Sequence, residues 1–345
     1  MNRIPLVKIE TALLARQMIG PAVLGLMLAG AQLAFAQASL QCDPNKVITS
    51  ETCIKCHANE YEVWRQTPHC KTFDTLHRSP AAQTIARRMG ISSIKRGKIC
   101  IDCHYTTQTK AETVKVVSGI SCESCHGAAA DWVNVHNNYG GFGITRQHES
   151  ESHRLQRLST SMELGMRNPL NPYLIARSCL ACHTVPNEKL VNVGGHQAGS
   201  EDFELVSWSQ GMIRHNFVRS NGQANEASDQ HRLRILYLSG LVAELEFSVR
   251  ATGLATQQGT FGKSVSARAA RTAVKLYQIQ QQIKQPLLEE ILQAFAKAEL
   301  KTNNSQQLNE IAETINRAGQ RLATQVDGHD LSILDSLIPP ASQYK

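Results

Sequence analysis

The sequence predicts a mainly α protein in two parts: a loop-rich region with short helices, followed by a C-terminal helical bundle. Three observations predict it. The pentapeptide Cys-x-x-Cys-His occurs four times between Cys53 and His183, no Cys follows about Ser228, and in that Cys-free stretch apolar residues recur at helical spacing.

The 345-residue chain opens with Arg3, Lys8 and Arg16 ahead of an apolar run, residues 19–36, that closes on Ala34-Phe35-Ala36. A basic start, a short apolar stretch and a small-x-small end make residues 1–36 a secretory signal peptide, cut after Ala36. Gly20, Pro21, Gly25 and Gly30 interrupt the run, which argues against a retained anchor. The mature chain is therefore expected to be periplasmic, with no stable membrane insertion.

The four motifs are Cys53-Ile-Lys-Cys56-His57, Cys100-Ile-Asp-Cys103-His104, Cys122-Glu-Ser-Cys125-His126 and Cys179-Leu-Ala-Cys182-His183. Two thiols separated by two residues can each add across one vinyl group of the same porphyrin, and the adjacent His is then carried under the ring to the iron. The expected cofactors are four covalently bound c-type haems. Paired Cys-x-x-Cys elements also build four-thiolate zinc sites, but zinc gives no reason for a His after every second Cys. Two cysteines remain, Cys42 and Cys70, which in an oxidising compartment can form a disulfide or stay free.

Residues 37–225 read as one tetrahaem domain in which porphyrins supply much of the apolar core, so regular structure there should be sparse. Ser79-Pro80 leading to Gly90 has the N-cap, the first-turn proline and the terminal glycine of a short helix. A second helix is expected over residues 148–164, before the breaks at Asn168-Pro169 and Asn171-Pro172.

Residues 228–330 read as the bundle. Leu233, Leu236, Leu238, Leu241, Leu245 and Val249 make one amphipathic stretch, and residues 263–284 make a second. Pro286 opens a third through Leu300. Ser305 caps a fourth, in which Leu308, Ile311, Ile315, Leu322 and Val326 repeat. Short connections favour up-down packing, with homo-oligomer formation through these helices a possible role. Residues 331–345 form a tail.

The formal charge is +7. Removing Arg3, Lys8, Arg16 and Glu10 with the leader leaves +5, and haem propionates offset most of that. No concentrated basic run is present and the aromatics are few, so nucleic acid is not an expected partner.

Nine His lie outside the motifs, against four Met in the mature chain, so the second axial ligands are expected to be imidazoles. His69 follows Pro68 a short reach from the first motif, and Trp64 can lie along a porphyrin. His136 follows the third motif by one loop containing Trp132. His215 comes after a helix capped by Ser200, with Glu201 and Asp202 in its first turn. Gly194-Gly195-His196 either brings an imidazole close to a ring or is a plain glycine turn. His77, His148 and His153 are weaker candidates, and His231 and His329 belong to the solvent face of the helices.

From Cys53 to about Phe217 the chain resembles the tetrahaem cytochrome c554 family of ammonia-oxidising bacteria, electron acceptors of hydroxylamine oxidoreductase. The residues that carry the resemblance are Tyr61-Glu-Val-Trp64 and Thr67-Pro-His69 after the first motif, and Gly119-Ile-Ser-Cys122-Glu-Ser-Cys125-His126-Gly127 with His136 downstream. It implies His136 opposite His57, His69 opposite His126, and His215 opposite His183. It also implies a five-coordinate iron at His104 with reactivity toward nitric oxide, a face that His196 in this chain could close. Two departures stand out: the setting of His196, and more than a hundred further residues of helix.

The motifs together imply electron transfer between a donor and an acceptor protein. The alternative is a small multihaem oxidoreductase acting on nitric oxide, nitrite or hydroxylamine at an open iron beside His104. A sensor or scaffold with the bundle as its output is a third class. No catalytic side-chain set is identified.

Overall fold

The computed structural model describes residues 40–345. The expected leader, residues 1–36, lies outside them. The described residues form one compact unit, mainly α as the sequence predicts.

Short helices dominate as far as the third motif: α1 (Ser50–Cys53), α2 (Ala58–Trp64), α3 (Pro68–Thr75), α4 (Pro80–Arg88) and α5 (Lys98–His104). Two start as their sequences require. Thr67 and Ser79 accept from the N–H three residues on, each just before a first-turn proline. Gly90 ends α4 at φ +69.

A hairpin follows that the sequence did not signal, β1 (Thr106–Lys110) paired antiparallel with β2 (Thr113–Ser118). Its two-residue turn places Ala111 and Glu112 at φ +47 and +62, a conformation that Asn-Gly or Asp-Gly ordinarily announces.

Next come α6 (Cys122–His126), α7 (Val133–His136) and α8 (Glu151–Glu163). Helix α8 begins three residues later than expected, because Ser150 is its N-cap and accepts from the N–H of His153. Helix α9 (Pro172–His183) is capped by Asn171 immediately after the predicted break. It is followed by α10 (Glu188–Asn192) and α11 (Leu205–Ser209). The cap of α11 is Glu204, whose carboxylate accepts from the N–H groups of Val206 and Ser207. Ser200, read as that cap, instead faces His183.

The helical region consists of α12 (Gln230–Gly253), α13 (Thr260–Ile283), α14 (Pro286–Phe295) and α15 (Ser305–Gln325). The N-cap of α15 is Asn304 rather than Ser305. Sequence periodicity gives α12 one apolar stripe, yet nearly every face of it is buried. The reason is that α9 packs on it as well as α13 and α15. Tyr173, Ala176 and Leu180 of α9 share one apolar core with Leu238, Leu245, Leu276, Leu308 and Leu322.

A buried ionic cluster crosses that junction. Glu246, fully buried, accepts from Tyr173 Oη at 2.7 Å, from Arg177 Nε and Nη2 at 2.9 and 3.1 Å, and from Arg250 Nε at 2.8 Å. Four donors and two cations are what a carboxylate needs to be tolerated inside a core.

The last residues are not loose. Leu331 and Leu334 are buried, and Lys345 accepts from Met212 N–H while donating its own N–H to Ser207. Among the described residues no helix is long and apolar enough to cross a membrane.

Candidate functional site

Each Cys-x-x-Cys-His pentapeptide lies on a helical turn. The second occupies α5, the third is α6, and the fourth ends α9. The first spans the end of α1, where His57 N–H closes a helical bond of 2.9 Å to the Cys53 carbonyl. On such a turn positions i, i+3 and i+4 share a face, so both thiols and the imidazole point the same way. That common direction is the structural reason for the spacing.

All ten cysteines are free, Cys42 and Cys70 included, so the disulfide open to them is not formed. Cys42 donates to the Glu123 carbonyl instead. Thiols of different motifs meet in two places: Cys53 against Cys122, and Cys103 against Cys182. Cys122 Sγ donates to Ser50 Oγ at 3.5 Å and Cys182 Sγ to the Asp102 carbonyl at 3.9 Å, so the third motif touches the turn of the first and the fourth touches the second. Ser178, just before the fourth motif, donates to the Cys125 carbonyl at 3.1 Å and so joins the third motif to the fourth. The spatial order of motifs is therefore first, third, fourth, second.

Eight histidines meet as four pairs, one from a motif and one from outside. Ring centroids are 6.3 Å apart for His57 and His136, 6.2 Å for His69 and His183, 6.4 Å for His104 and His196, and 6.1 Å for His126 and His215. These spacings have a simple meaning. A metal–nitrogen bond is roughly 2 Å and an imidazole centroid lies about 1.2 Å behind its nitrogen, so two imidazoles on opposite sides of one iron have centroids about 6.4 Å apart. Ring planes may take any angle about that shared axis, and the observed angles run from 24° to 87°. By contrast, His231 and His329 stack in direct contact at 3.4 Å, with no room for an ion between them.

The resemblance places His136 opposite His57, as observed, but the other pairings differ. His69 faces His183 rather than His126, and His215 faces His126 rather than His183. Long-range bonds decide this. The His69 carbonyl accepts from Ile120 N–H and from the Thr72 hydroxyl, which also donates to the His104 carbonyl, so α3 stands beside the second motif. The loop carrying His215 is tied to Lys345 and to Asn225. His196 stands opposite His104, on the face that the resemblance leaves open. Gly194 and Gly195 allow close approach, though to Met89 and Arg88 of α4 rather than to a ring.

Five of the eight imidazoles are oriented by an oxygen at Nδ1, and three are kept neutral by burial. Nδ1 faces an oxygen in His126 (Arg167 carbonyl), His136 (Val133 carbonyl), His183 (Ser200 hydroxyl), His196 (Gln197 carbonyl) and His215 (Ile213 carbonyl), leaving Nε2 with its lone pair. Burial holds His104, His126 and His183 down to about 4, hence neutral. His57 differs, since its hydrogen bond to Glu60 raises it.

Arg167 and Ser200 were missed from the sequence, the first because its contacts are to backbone carbonyls, the second because it looked like a cap. Trp64, expected along a porphyrin, donates to the Ile120 carbonyl at 2.8 Å. Of the weaker candidates, His148 bonds Thr145 and His153 bonds Glu149.

The residues fit haem better than a bare ion. Among the described residues no three His, Cys, Asp or Glu converge to hold a metal ion, so the zinc alternative lacks a donor set. Trp132 Nε1 is buried without a partner, and its ring lies edge-on to His136 with centroids 5.2 Å apart, so a haem carboxylate held there would meet a donor.

Residues 52–127, which hold the first three motifs, match the family described as Cytochrome c554 and c-prime. A stretch of the chain is 25% identical to the cytochrome c-554 of Nitrosomonas europaea, over 26% of this chain and 41% of that relative. No solved structure matches the chain.

Proposed function

We propose that this chain, whose residues 52–127 belong to the cytochrome c554 and c-prime family, is an exported tetrahaem c-type cytochrome that carries electrons between redox proteins. The observation that carries the reading is the set of four His–His pairs, each spaced for one iron and each beginning in a Cys-x-x-Cys-His motif.

The haem supplies a one-electron iron couple, which two imidazole ligands keep at low potential. Cys53, Cys56, Cys100, Cys103, Cys122, Cys125, Cys179 and Cys182 tether the four groups. His57, His104, His126 and His183 would bind the irons from the motif side, and His136, His196, His215 and His69 are the imidazoles that would complete them. Irons bound by both imidazoles of a pair would keep no position for a substrate, which favours a carrier over an oxidoreductase acting on nitrogen oxides. The contacts between motifs, first to third to fourth to second, keep neighbouring tethers touching, an arrangement suited to transfer through one protein. The positively charged start and the apolar run ending at Ala36 support export to the periplasm.

The test is the purified, exported protein. Its mass should equal that of residues 37–345 plus four haems, and every ferric haem should be low-spin. A colourless preparation with bare-protein mass would overturn the reading, and one high-spin haem in the unaltered protein would revive the enzyme alternative.

A further inference from the structure

The helical region carries no haem motif, yet it grips both ends of the segment that presents His196. Upstream, Glu188 of α10 accepts from Thr256 N–H at 3.0 Å, from the Thr256 hydroxyl at 2.6 Å and from Gln257 N–H at 3.2 Å. Asn192, four residues before His196, accepts from Phe261 N–H at 2.9 Å. That N–H belongs to the first turn of α13, whose own N-cap is Gly259 with no side chain to offer, so the motif region supplies the missing cap.

Downstream, two residues after His196, the Ala198 carbonyl accepts from Ser264 Oγ at 3.3 Å and Arg268 Nη2 at 3.2 Å, both on α13. Gly199, at φ +91, lies so close under the Arg268 guanidinium that a Cβ there would collide with it. Val191, Ala251, Ala255, Phe261 and Val265 form a small apolar core between these two sets of bonds. Between the anchors His196 has local bonds, from its N–H to the Leu190 carbonyl and from Nδ1 to the Gln197 carbonyl. Gly194 and Gly195 pack on α4, while the side-chain anchors on either side of His196 run to the α12–α13 turn and α13.

We infer that the α12–α13 turn and the first three turns of α13 are a ligand clamp: they hold His196 against the iron at His104 and keep that iron closed. Glu188, Asn192 and Arg268 are its positioning residues. The inference rests on the carrier reading above, and gives the helical region a role in deciding whether the second haem is inert or open to a small neutral ligand.

The test uses full-length holoprotein and two readouts, the high-spin fraction of the ferric state and carbon monoxide binding by the reduced state. The unaltered protein should be low-spin and inert to carbon monoxide. His196→Ala should open one haem in four completely. Arg268→Ala and the double variant Glu188→Ala/Arg268→Ala should open the same haem in part, with Arg268→Lys restoring the closed state. Arg321→Ala, which removes an exposed pair with Glu290 elsewhere in the region, should change nothing. Should Arg268→Ala fail to accumulate, Glu188→Gln with Ser264→Ala carries the same prediction at lower structural cost.

If His196→Ala opens a haem while the clamp variants remain as closed as the unaltered protein, the clamp is wrong and the carrier reading stands. If His196→Ala leaves all four haems low-spin, the ligand assignment itself falls and the clamp with it.

Discussion

Residues 40–227 and the helical region after them bury themselves by different means. In the helical region, Leu238, Leu245, Leu276, Leu288, Ile315 and Leu322 are fully buried in one continuous core. In the motif region the separate core is small, Ala86, Ile94 and Tyr105, and the chain is held by polar anchors such as Glu123, which accepts from the N–H groups of Ile48, Thr49 and Ala129. The difference teaches where each region's stability resides: apolar packing in one, and tethers with buried hydrogen bonds in the other. Helix α9 belongs to both, with its first turns in the shared core and its last turn carrying the fourth motif.

Removal of a tether should break the comparison most severely, and unequally. Cys179→Ala/Cys182→Ala should lose one haem by mass and also loosen the helical region to limited proteolysis. Cys53→Ala/Cys56→Ala should lose one haem and leave that region resistant. Equal resistance in both variants would mean that α9 does not couple the two parts.

Glu246→Ala comes next. It strands Arg177 in the core, while Arg250 keeps Glu313, and should cost about 3–5 kcal/mol in chemical denaturation. Because Arg177 sits on α9, the fourth haem's spectrum should broaden or shift as well. Leu245→Ala, a pure packing loss in the same helix, should cost about 2–5 kcal/mol with the haem spectrum unchanged. A haem shift of equal size in both variants would show that packing alone positions the motif.

The smallest effect lies in the motif region. Arg157, and then His153, holds the Glu149 carboxyl down to about 2, and Arg157 also donates to the His136 carbonyl at 2.5 Å. A carboxyl depressed in the folded state contributes its full stabilisation above its unfolded value of about 4.3, and loses it as pH falls through the folded value. Acid titration of stability should therefore steepen between pH about 4 and 2, and Glu149→Gln should flatten that interval.

Much of the molecule was legible from local pattern. The motif turns, the Ser79-Pro80 start of α4 and the helices from Gln230 onward follow from spacings of three and four residues, which the helix itself imposes. The hairpin at Ala111-Glu112 was not, because its turn uses residues that do not advertise positive φ. The burial of α12 on nearly all sides was hidden too, since its second covering helix, α9, comes from the other region.

What the sequence alone determined is which side chains share a helical turn: two thiols and an imidazole on one face, four times, because that geometry depends only on rise and rotation per residue. Which imidazole stands opposite which was decided by the tertiary structure. His69 faces His183 and His196 faces His104 because bonds from Ile120, Thr72, Ser264 and Arg268 place α3 and the His196 loop. Contacts between residues so far apart in the chain leave no periodic trace in it.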